Sequence, residues 1–402
     1  MSEMSYMEKL LDGVEVEWKA LGEVAHVLNG YAFESSKYVS DGIRVIRISD
    51  VQKGKMSDEN LKFYPFDSKQ EIRKYLLSEG DLVMSLTGNV GRVAMLTKKD
   101  LPAGLNQRVA CIRPELSIVL TRYLFHYFDQ TSFENEAMNN ATGGGQKNMS
   151  TKWLSSYPIP IPCPEDPKKS LKIQSEIVRI LDTFTELTTE LTTELTNRKK
   201  QYNHYRDQLL SFKDGDVEWK TLGEVVATIK TGKLNANAMV EDGKYPFFTC
   251  DANPFRINTY AFDTEAIIVS GNGSQVGHIN YYRGKFNAYQ RTYILADCTE
   301  EITLGFLLIY LKAYLRPYIM QHSKKGSVPY ITMPMLQSFE IPVPSLTTQA
   351  RIVAILDKFD TLTHSISAGL PREIELRQKQ YEYYRNLLLS FPKPESQKKG
   401  VA

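Results

Sequence analysis

The chain has 402 residues, of which 42% are hydrophobic and 24% charged, a composition that excludes a disordered chain and leaves room for two or more folded domains. With 49 basic and 47 acidic residues its net charge is +2, which neither requires nor excludes a nucleic-acid partner, because acidic surface elsewhere can balance a basic groove. No apolar run approaches the roughly 18 residues that span a bilayer, MSEMSYMEKLLDGVEVEW is not a signal peptide, and the four scattered cysteines (Cys111, Cys163, Cys250, Cys298) form neither a zinc motif nor a disulfide framework, so a cytoplasmic protein without membrane contact is expected.

In chain order, the first feature is a flank, GVEVEWKALGEV at 13 to 24, which returns as GDVEWKTLGEV at 215 to 225. Each flank precedes apolar runs punctuated by Gly, Asn and Asp: GIRVIRISDV and GDLVMSL in the first half, EAIIVS and RTYILA in the second. Such runs predict strands joined by turns. Among them TGNVGRV (87 to 93) faces GSQVGHI (273 to 279), and NQRVACI (106 to 112) faces YQRTYIL (289 to 295). TGGGQKNMSTKWL (142 to 154) faces KKGSVPYITMPML (324 to 336) more loosely. Each half then leaves through a proline-rich strand, YPIPIPCP or FEIPVPS, into a second repeated block, QSEIVRILDTF at 174 to 184 and QARIVAILDKF at 349 to 359. A third block, RKKQYNHYRDQLLSF at 198 to 212, returns as RQKQYEYYRNLLLSF at 377 to 391. The frame is duplicated while its filling has diverged.

The last two blocks are helical by period. Ile173, Ile177, Ile180, Phe184, Leu187 and Leu191 step by four and three, as do Ile355, Phe359, Leu362 and Ile366, which is the spacing of a coiled-coil seam. TELTTELTTELT at 185 to 196 repeats one tetrad three times through Glu186, Leu187, Glu190, Leu191, Glu194 and Leu195. Extra steps of four are stutters that unwind a supercoil locally without breaking its seam. The three glutamates make a same-sign stripe that favours Lys or Arg opposite it, from a neighbouring helix or a partner. Gly369 and Pro371 predict a kink or short break in the second copy. Neither helix hides its apolar stripe alone, so an antiparallel pair with one β-rich domain at each end is expected. The predicted fold is α+β with an internal pseudo-twofold repeat: β-rich domains at 1 to 168 and 213 to 345, long helices at 169 to 212 and 346 to 391, and a tail at 392 to 402.

Catalytic readings find little support. GKM, GKL and GKF lack the hydroxyl and upstream glycine of a nucleotide-hydrolysing P-loop. EWK, at 17 to 19 and 218 to 220, matches part of a metal-dependent nuclease motif but lacks a second carboxylate at strand spacing, and reads better as an edge docking against the helical rod. ANPFR at 252 to 256 differs from the Asn-Pro-Pro-aromatic signature of amino-methyltransferases, and no glycine motif for a methyl donor is present. The six histidines form no i, i+4 pair and no triad order. GLNQR, TGNVGR and ATGGGQK suit phosphate-cradling loops and ordinary tight turns alike.

The signal for DNA is spread over loops that mix Arg, Lys, Asn and Gln, the side chains able to contact guanine or adenine edges in the major groove. In the first half these are Arg92, Gln107, Arg108, Gln146, Lys147 and Asn148. In the second they are Lys230, Lys233, Asn235, Asn237, Asn272, Gln275, His278, Arg291, Lys324 and Lys325. Singly each is an ordinary solvated loop residue; in two copies on a spaced frame they suggest two DNA-binding surfaces.

The duplicated IQSEIVRILDTF and RKKQYNHYRDQLLSF blocks, the opening LLDGVEVEWKALGEV and the ELTT tetrads together resemble the specificity subunit of type I restriction-modification enzymes, and the tetrads resemble its IC subgroup. The resemblance implies a non-catalytic subunit whose two target-recognition domains bind the halves of an interrupted, asymmetric double-stranded DNA site. It implies that the helices serve as spacer and as docking surface for two methyltransferase subunits, to which restriction subunits add. S-adenosylmethionine, ATP and Mg would then belong to those partners, with no cofactor on this chain. One tetrad lengthens a helix by about 6 Å and turns its end by about 40°, against about 3.4 Å and 34 to 36° per base-pair step. The tetrad number is therefore expected to set the gap between half-sites. A coiled-coil scaffold with protein-binding ends, or a self-sufficient methyltransferase or nuclease, are the rival readings. Salt-sensitive preference for specific duplex DNA separates the first, and activity of the isolated chain the second.

Overall fold

The computed structural model describes residues 14–213, 215–322, 328–365 and 368–391; Lys324, Lys325, Ile366 and the 392–402 tail lie outside the described residues. Two compact units make up the chain, one of Met1–Leu191 with Glu373–Ala402 and the other of Thr192–Arg372.

Besides a short hairpin of Val51–Gln52 and Lys55–Met56, the strands of the first unit are β1 (Val16–Ala20), β2 (Ala25–Asn29), β3 (Ile43–Ile46), β4 (Phe63–Tyr64), β5 (Leu76–Leu77), β6 (Leu82–Ser85), β7 (Val93–Met95), β8 (Ala103–Leu105), β9 (Val109–Pro114) and β10 (Pro158–Pro162). They form two four-stranded sheets, β4-β3-β8-β5 and β2-β9-β6-β7, and a β1-β10 ribbon. Period-2 alternation divides the second sheet's contacts. Leu82, Met84, Ala110 and Ile112 face the helices α1 (Thr121–Phe128), α2 (Thr131–Asn140) and α3 (Thr151–Ser156), whereas Val83, Val109 and Cys111 pack on Ile46, Ala103 and Leu105 of the other sheet. Burial on both faces is why GDLVMSL reads as a continuous apolar run.

The second unit holds β11 (Glu218–Thr221), β12 (Val226–Thr231), β13 (Tyr245–Phe248), β14 (Phe255–Ile257), β15 (Phe262–Ser270), β16 (Ile279–Ala288), β17 (Thr292–Cys298) and β18 (Glu340–Val343). One six-stranded sheet has the order β12-β17-β15-β16-β13-β14, and β11 pairs with β18. Ile267, Val269 and Leu295 face the helical core, and Ala266, Ile268 and Ile294 pack with Phe248 and Phe286 on the other face.

The EWK strands lie in two-stranded ribbons, and Trp18 of the first packs against the core that contains Ile177 and Leu388 of the helical segments. Each EWK strand pairs antiparallel with the proline-rich strand that leads into a helix, Trp18 opposite Pro160 and Trp219 opposite Pro342. Proline suits such two-stranded ribbons because only one side of the strand needs donors.

Helix α4 (Pro167–Leu209) runs for 43 residues, roughly 65 Å. Asp166 caps it, its carboxylate accepting the N–H groups of Lys168 and Lys169 at 3.1 Å, with proline at the first helical position. The second helical segment is broken as Gly369 and Pro371 suggest. In the second unit α5 (Leu304–His322), α6 (Met333–Gln337) and α7 (Leu346–His364) precede α8, which begins at Gly369 and ends at Leu388. Gly369 has φ +76°, and a Cβ there would lie 2.4 Å from the Thr361 carbonyl oxygen. Phe184 stacks on Tyr384 at 5.2 Å in the first unit, and Tyr205 meets Phe359 at 5.7 Å in the second. Later residues of α4 therefore meet earlier residues of the second segment, the order that antiparallel partners give.

Each helical segment carries two adjacent stripes where the sequence pattern suggests one. Ile177 and Leu181 are fully buried, and Ile352 and Leu356 nearly so, all against the cores of their own units. Ile180, Phe184, Leu187, Leu191, Ile355, Phe359 and Leu362 are only half-buried. In the tetrads the threonines return their hydroxyls to carbonyls four residues back, Thr188 to Phe184 and Thr189 to Thr185 at 2.8 Å, which satisfies them inside the helix. Glu194 draws its cation from its own helix, Arg198 at 2.6 Å, rather than from a neighbouring one. Among the described residues no helix is long and apolar enough to cross a membrane.

Candidate nucleic-acid interface

Both units gather the same loops by the same main-chain hydrogen bonds. In the first unit Ser85 N–H donates to the Arg92 carbonyl at 2.9 Å and Gly91 N–H to the Ser85 carbonyl at 3.0 Å, closing the TGNVGR turn. In the second, Ser270 N–H donates to His278 at 2.9 Å and Gly277 N–H to Ser270 at 2.8 Å. The turn is then tied to two others. Leu86 N–H donates to Arg108, Gly88 N–H to Lys147 and Met149 N–H to Leu86, at 3.0, 3.1 and 2.8 Å. Gly271 N–H donates to Arg291, Gly273 N–H to Pro329 and Ile331 N–H to Gly271, at 2.9, 3.2 and 2.9 Å.

A further loop completes each cluster. Gln107 N–H reaches the Tyr31 carbonyl and Gln290 N–H the Leu234 carbonyl, both at 2.9 Å. The approach depends on glycine. A Cβ on Gly30 would lie 2.2 Å from the Asn106 carbonyl, and one on Gly232 1.9 Å from the Ala288 carbonyl oxygen. Gly88, Gly91, Gly273 and Gly277 all have positive φ, from +75° to +84°, which L side chains rarely adopt. The loosely matched 142 to 154 and 324 to 336 stretches are equivalent too: Ser150 caps α3 through Trp153 N–H, and Thr332 caps α6 through Met335 N–H.

The first cluster brings together Gln107, Arg108, Gln146, Lys147 and Asn148, all exposed. Asn148 is fixed from within, accepting the Thr87 hydroxyl at 3.0 Å. Arg92 does not join them with its side chain. It bonds Gln52 Oε1 at 2.9 Å, lies near Glu134, and lines a cleft of about 1010 Å³ with Lys53, Lys55 and Lys99. The second cluster contains Arg291 and Lys233, exposed, and Asn272, Gln275 and His278, half-buried. Asn237 lies beside it in a short 3-10 turn that Asn235 precedes, and Lys230 is exposed on β12. Gln290 is a residue the sequence reading missed, although the shared Gln-Arg of NQR and YQR could have identified it.

A second device common to both units fixes the long helices. Gln174 and Gln349, the first residues of the two QSEIV and QARIV blocks, are fully buried. Gln174 donates to the Ile118 carbonyl at 2.9 Å, and Gln349 to the Glu301 and Pro344 carbonyls at 2.8 Å. The first unit adds polar contacts of its own. Neutral His126 donates from Nε2 to Asp182 at 2.7 Å and accepts the Tyr381 hydroxyl at Nδ1, 3.0 Å away, the tautomer that an accept-only carboxylate requires. Burial holds the His126 imidazole below its ordinary pKa, against the upward pull of Asp182. Burial raises the Asp182 carboxyl, but hydrogen bonds from His126 and Arg122 outweigh it and hold the group below its usual range.

A family model described as the type I restriction modification DNA specificity domain matches residues 13–200 and 215–376. The chain is 37% identical to the type I restriction enzyme EcoR124I/EcoR124II specificity subunit of Escherichia coli, over 98% of this chain and 99% of that one. It is 34% identical to the EcoprrI specificity subunit of the same organism, over 91% and 93% of the two chains. Its fold is similar to that of a type I restriction-modification S subunit from M. genitalium, with TM-score 0.61 and 17% identity, over 95% of this chain and 98% of that chain.

Proposed function

Because the chain belongs to the family of type I restriction-modification DNA specificity domains, we propose that it is the subunit that chooses the DNA sequence, one loop cluster reading each half of an asymmetric bipartite site. The observation that carries this reading is the pair of clusters. One hydrogen-bond pattern holds unlike side chains, Lys147 and Asn148 in the first, Pro329 and Tyr330 in the second. A fixed frame with exchanged side chains is what two domains reading different bases need, since base edges specify and phosphates position.

In this reading the chain carries no catalytic group. Two methyltransferase subunits dock on the helical segments and restriction subunits join them, all in the cytoplasm. S-adenosylmethionine, ATP and Mg act on those partners. The tetrads of α4 set the gap between half-sites.

The test exchanges residues 142–149 for the equivalent loop of a relative, assembles the chain with its partner subunits, and maps methylated sites on genomic DNA. One half-site should change while the other half-site and the gap persist. A map with neither half altered, or with both altered, removes the assignment of one cluster to one half-site.

A further inference from the structure

The two clusters differ in nearly every exposed side chain but share one dipeptide, Gln107-Arg108 and Gln290-Arg291. It sits at the same point of both frames. Its glutamine N–H is held by the 31 or 234 loop, and its arginine carbonyl receives the N–H of Leu86 or Gly271. The turn is closed alike, Val109 N–H to Asn106 and Thr292 N–H to Tyr289, both at 2.9 Å. All four side chains are exposed, and none makes a hydrogen bond or ion pair among the described residues. By contrast Arg44, Arg47, Arg92, Arg113 and Arg122 of the first unit are all committed to carboxylates or main chain.

We infer that these pairs grip the sugar-phosphate backbone at equivalent positions of the two half-sites and do not read bases. The inference rests on the DNA-reading role of the clusters. Two unlike half-sites present different base edges but identical phosphates, so a side-chain pair repeated on an identical frame between divergent neighbours matches what the half-sites share. The chemistry fits: a guanidinium takes two phosphate oxygens bidentately, and a glutamine amide donates to a third. The pair then sets the register in which the divergent loop residues meet the base edges.

The experiment uses the chain assembled with its partner subunits, carrying Arg108→Ala, Arg291→Ala or Arg108→Lys. It measures binding to a duplex containing the methylated site and to an unrelated duplex over a range of salt, together with the methylation map. Each alanine variant should weaken binding to both duplexes by a similar factor, on the order of tenfold for one lost charge-assisted contact. The slope of log affinity against log salt should fall by about 1, with both half-sites unchanged in the map. Arg108→Lys should recover most of the binding. Unaltered affinity and slope, or a loss confined to the site-containing duplex with one base relaxed in the map, would overturn the inference. The loop 142–149 exchange separates the two levels. If it redirects the first half-site while Arg108→Ala has no effect, only this inference fails; if neither has an effect, the DNA-reading role fails with it.

Discussion

The side-chain oxygen of Gln174 accepts the main-chain N–H of Leu120 at 2.9 Å, at the start of helix α1. The Leu120 N–H precedes the first helical residue and has no helical partner of its own. In the second unit Gln349 accepts the Thr303 N–H at 2.8 Å at the start of α5. One glutamine per unit thus closes the joint between the β-rich region and the long helices. Gln174→Ala and Gln349→Ala should each cost about 1–3 kcal/mol for every buried main-chain group left unpaired. Denaturant unfolding measures this, and a change below about 0.5 kcal/mol, the usual range for surface substitutions, would show that water replaces the amide.

Arg385 of α8 donates to Asp129 at 2.6 Å, and the two side chains are 2% and 9% exposed as residues. Burial raises the Asp129 carboxyl above its ordinary pKa in spite of the arginine, so desolvation is the larger effect. Removing one partner strands the other: Asp129→Ala should destabilise by about 3–5 kcal/mol. Replacing both by leucine should recover much of that loss. If the double variant is no more stable than the single one, the pair is contributing more than its desolvation cost.

Stability should fall in mild acid through His126. Its folded pKa is depressed, so below the unfolded value of about 6.5 the unfolded chain binds protons that the folded chain refuses. The contribution is intact above that pH and declines as pH drops through it. Asp129, raised by burial, acts in the opposite sense in a lower window, and Asp182, held low, loses its contribution only below about 3.9. Thermal unfolding of the wild type should therefore fall more steeply from pH 7 to 5.5 than that of His126→Gln. Parallel profiles would remove His126 from the account.

Gly30→Ala and Gly232→Ala should disorder their own clusters, because the added methyl meets main chain that no rotamer change can move. The expected result is loss of half-site selectivity confined to the altered unit, read from the methylation map. Selective methylation by both variants at wild-type levels would mean that the loops relax at little cost.

Deleting Glu190 to Thr193 shortens α4 by one tetrad, about 6 Å and 40°. The half-site gap should shrink by about one to two base pairs, one by the turn and nearly two by the length, with the bases of both halves kept. An unchanged gap would leave the tetrads as a tolerated expansion. Altered half-site letters would show that the clusters and the spacer are not separable.

Repetition, the β-rich filling, the helical period and the break near Gly369 were legible in the sequence because each is a local pattern of side chains. So was the Gln-Arg dipeptide, whose two copies stand side by side in NQRVACI and YQRTYIL. The residues that fix the helices were not. Gln174 and Gln349 look like helix-surface residues in a one-dimensional pattern, and their burial follows only from where Leu120 and Thr303 come to lie. The same holds for the two stripes: period alone places Ile177 in one seam with Ile180 and Phe184, whereas the core of the unit takes Ile177 together with Leu181 and leaves Ile180 and Phe184 half-buried. Arg92 illustrates the converse, a loop arginine that the fold turns toward Gln52 and Glu134.

By itself the sequence determined the two long helical segments, the strand-rich stretches between them, and that the chain is one frame written twice, since propensity and hydrophobic period act between near neighbours; the helices Thr121–Phe128 and Leu304–His322 inside the β-rich domains were not read from it. Only the tertiary structure decided which loops meet and which arginines stay unpaired. Those outcomes depend on main-chain hydrogen bonds between residues more than sixty positions apart, such as Met149 with Leu86, and no local rule of composition encodes them.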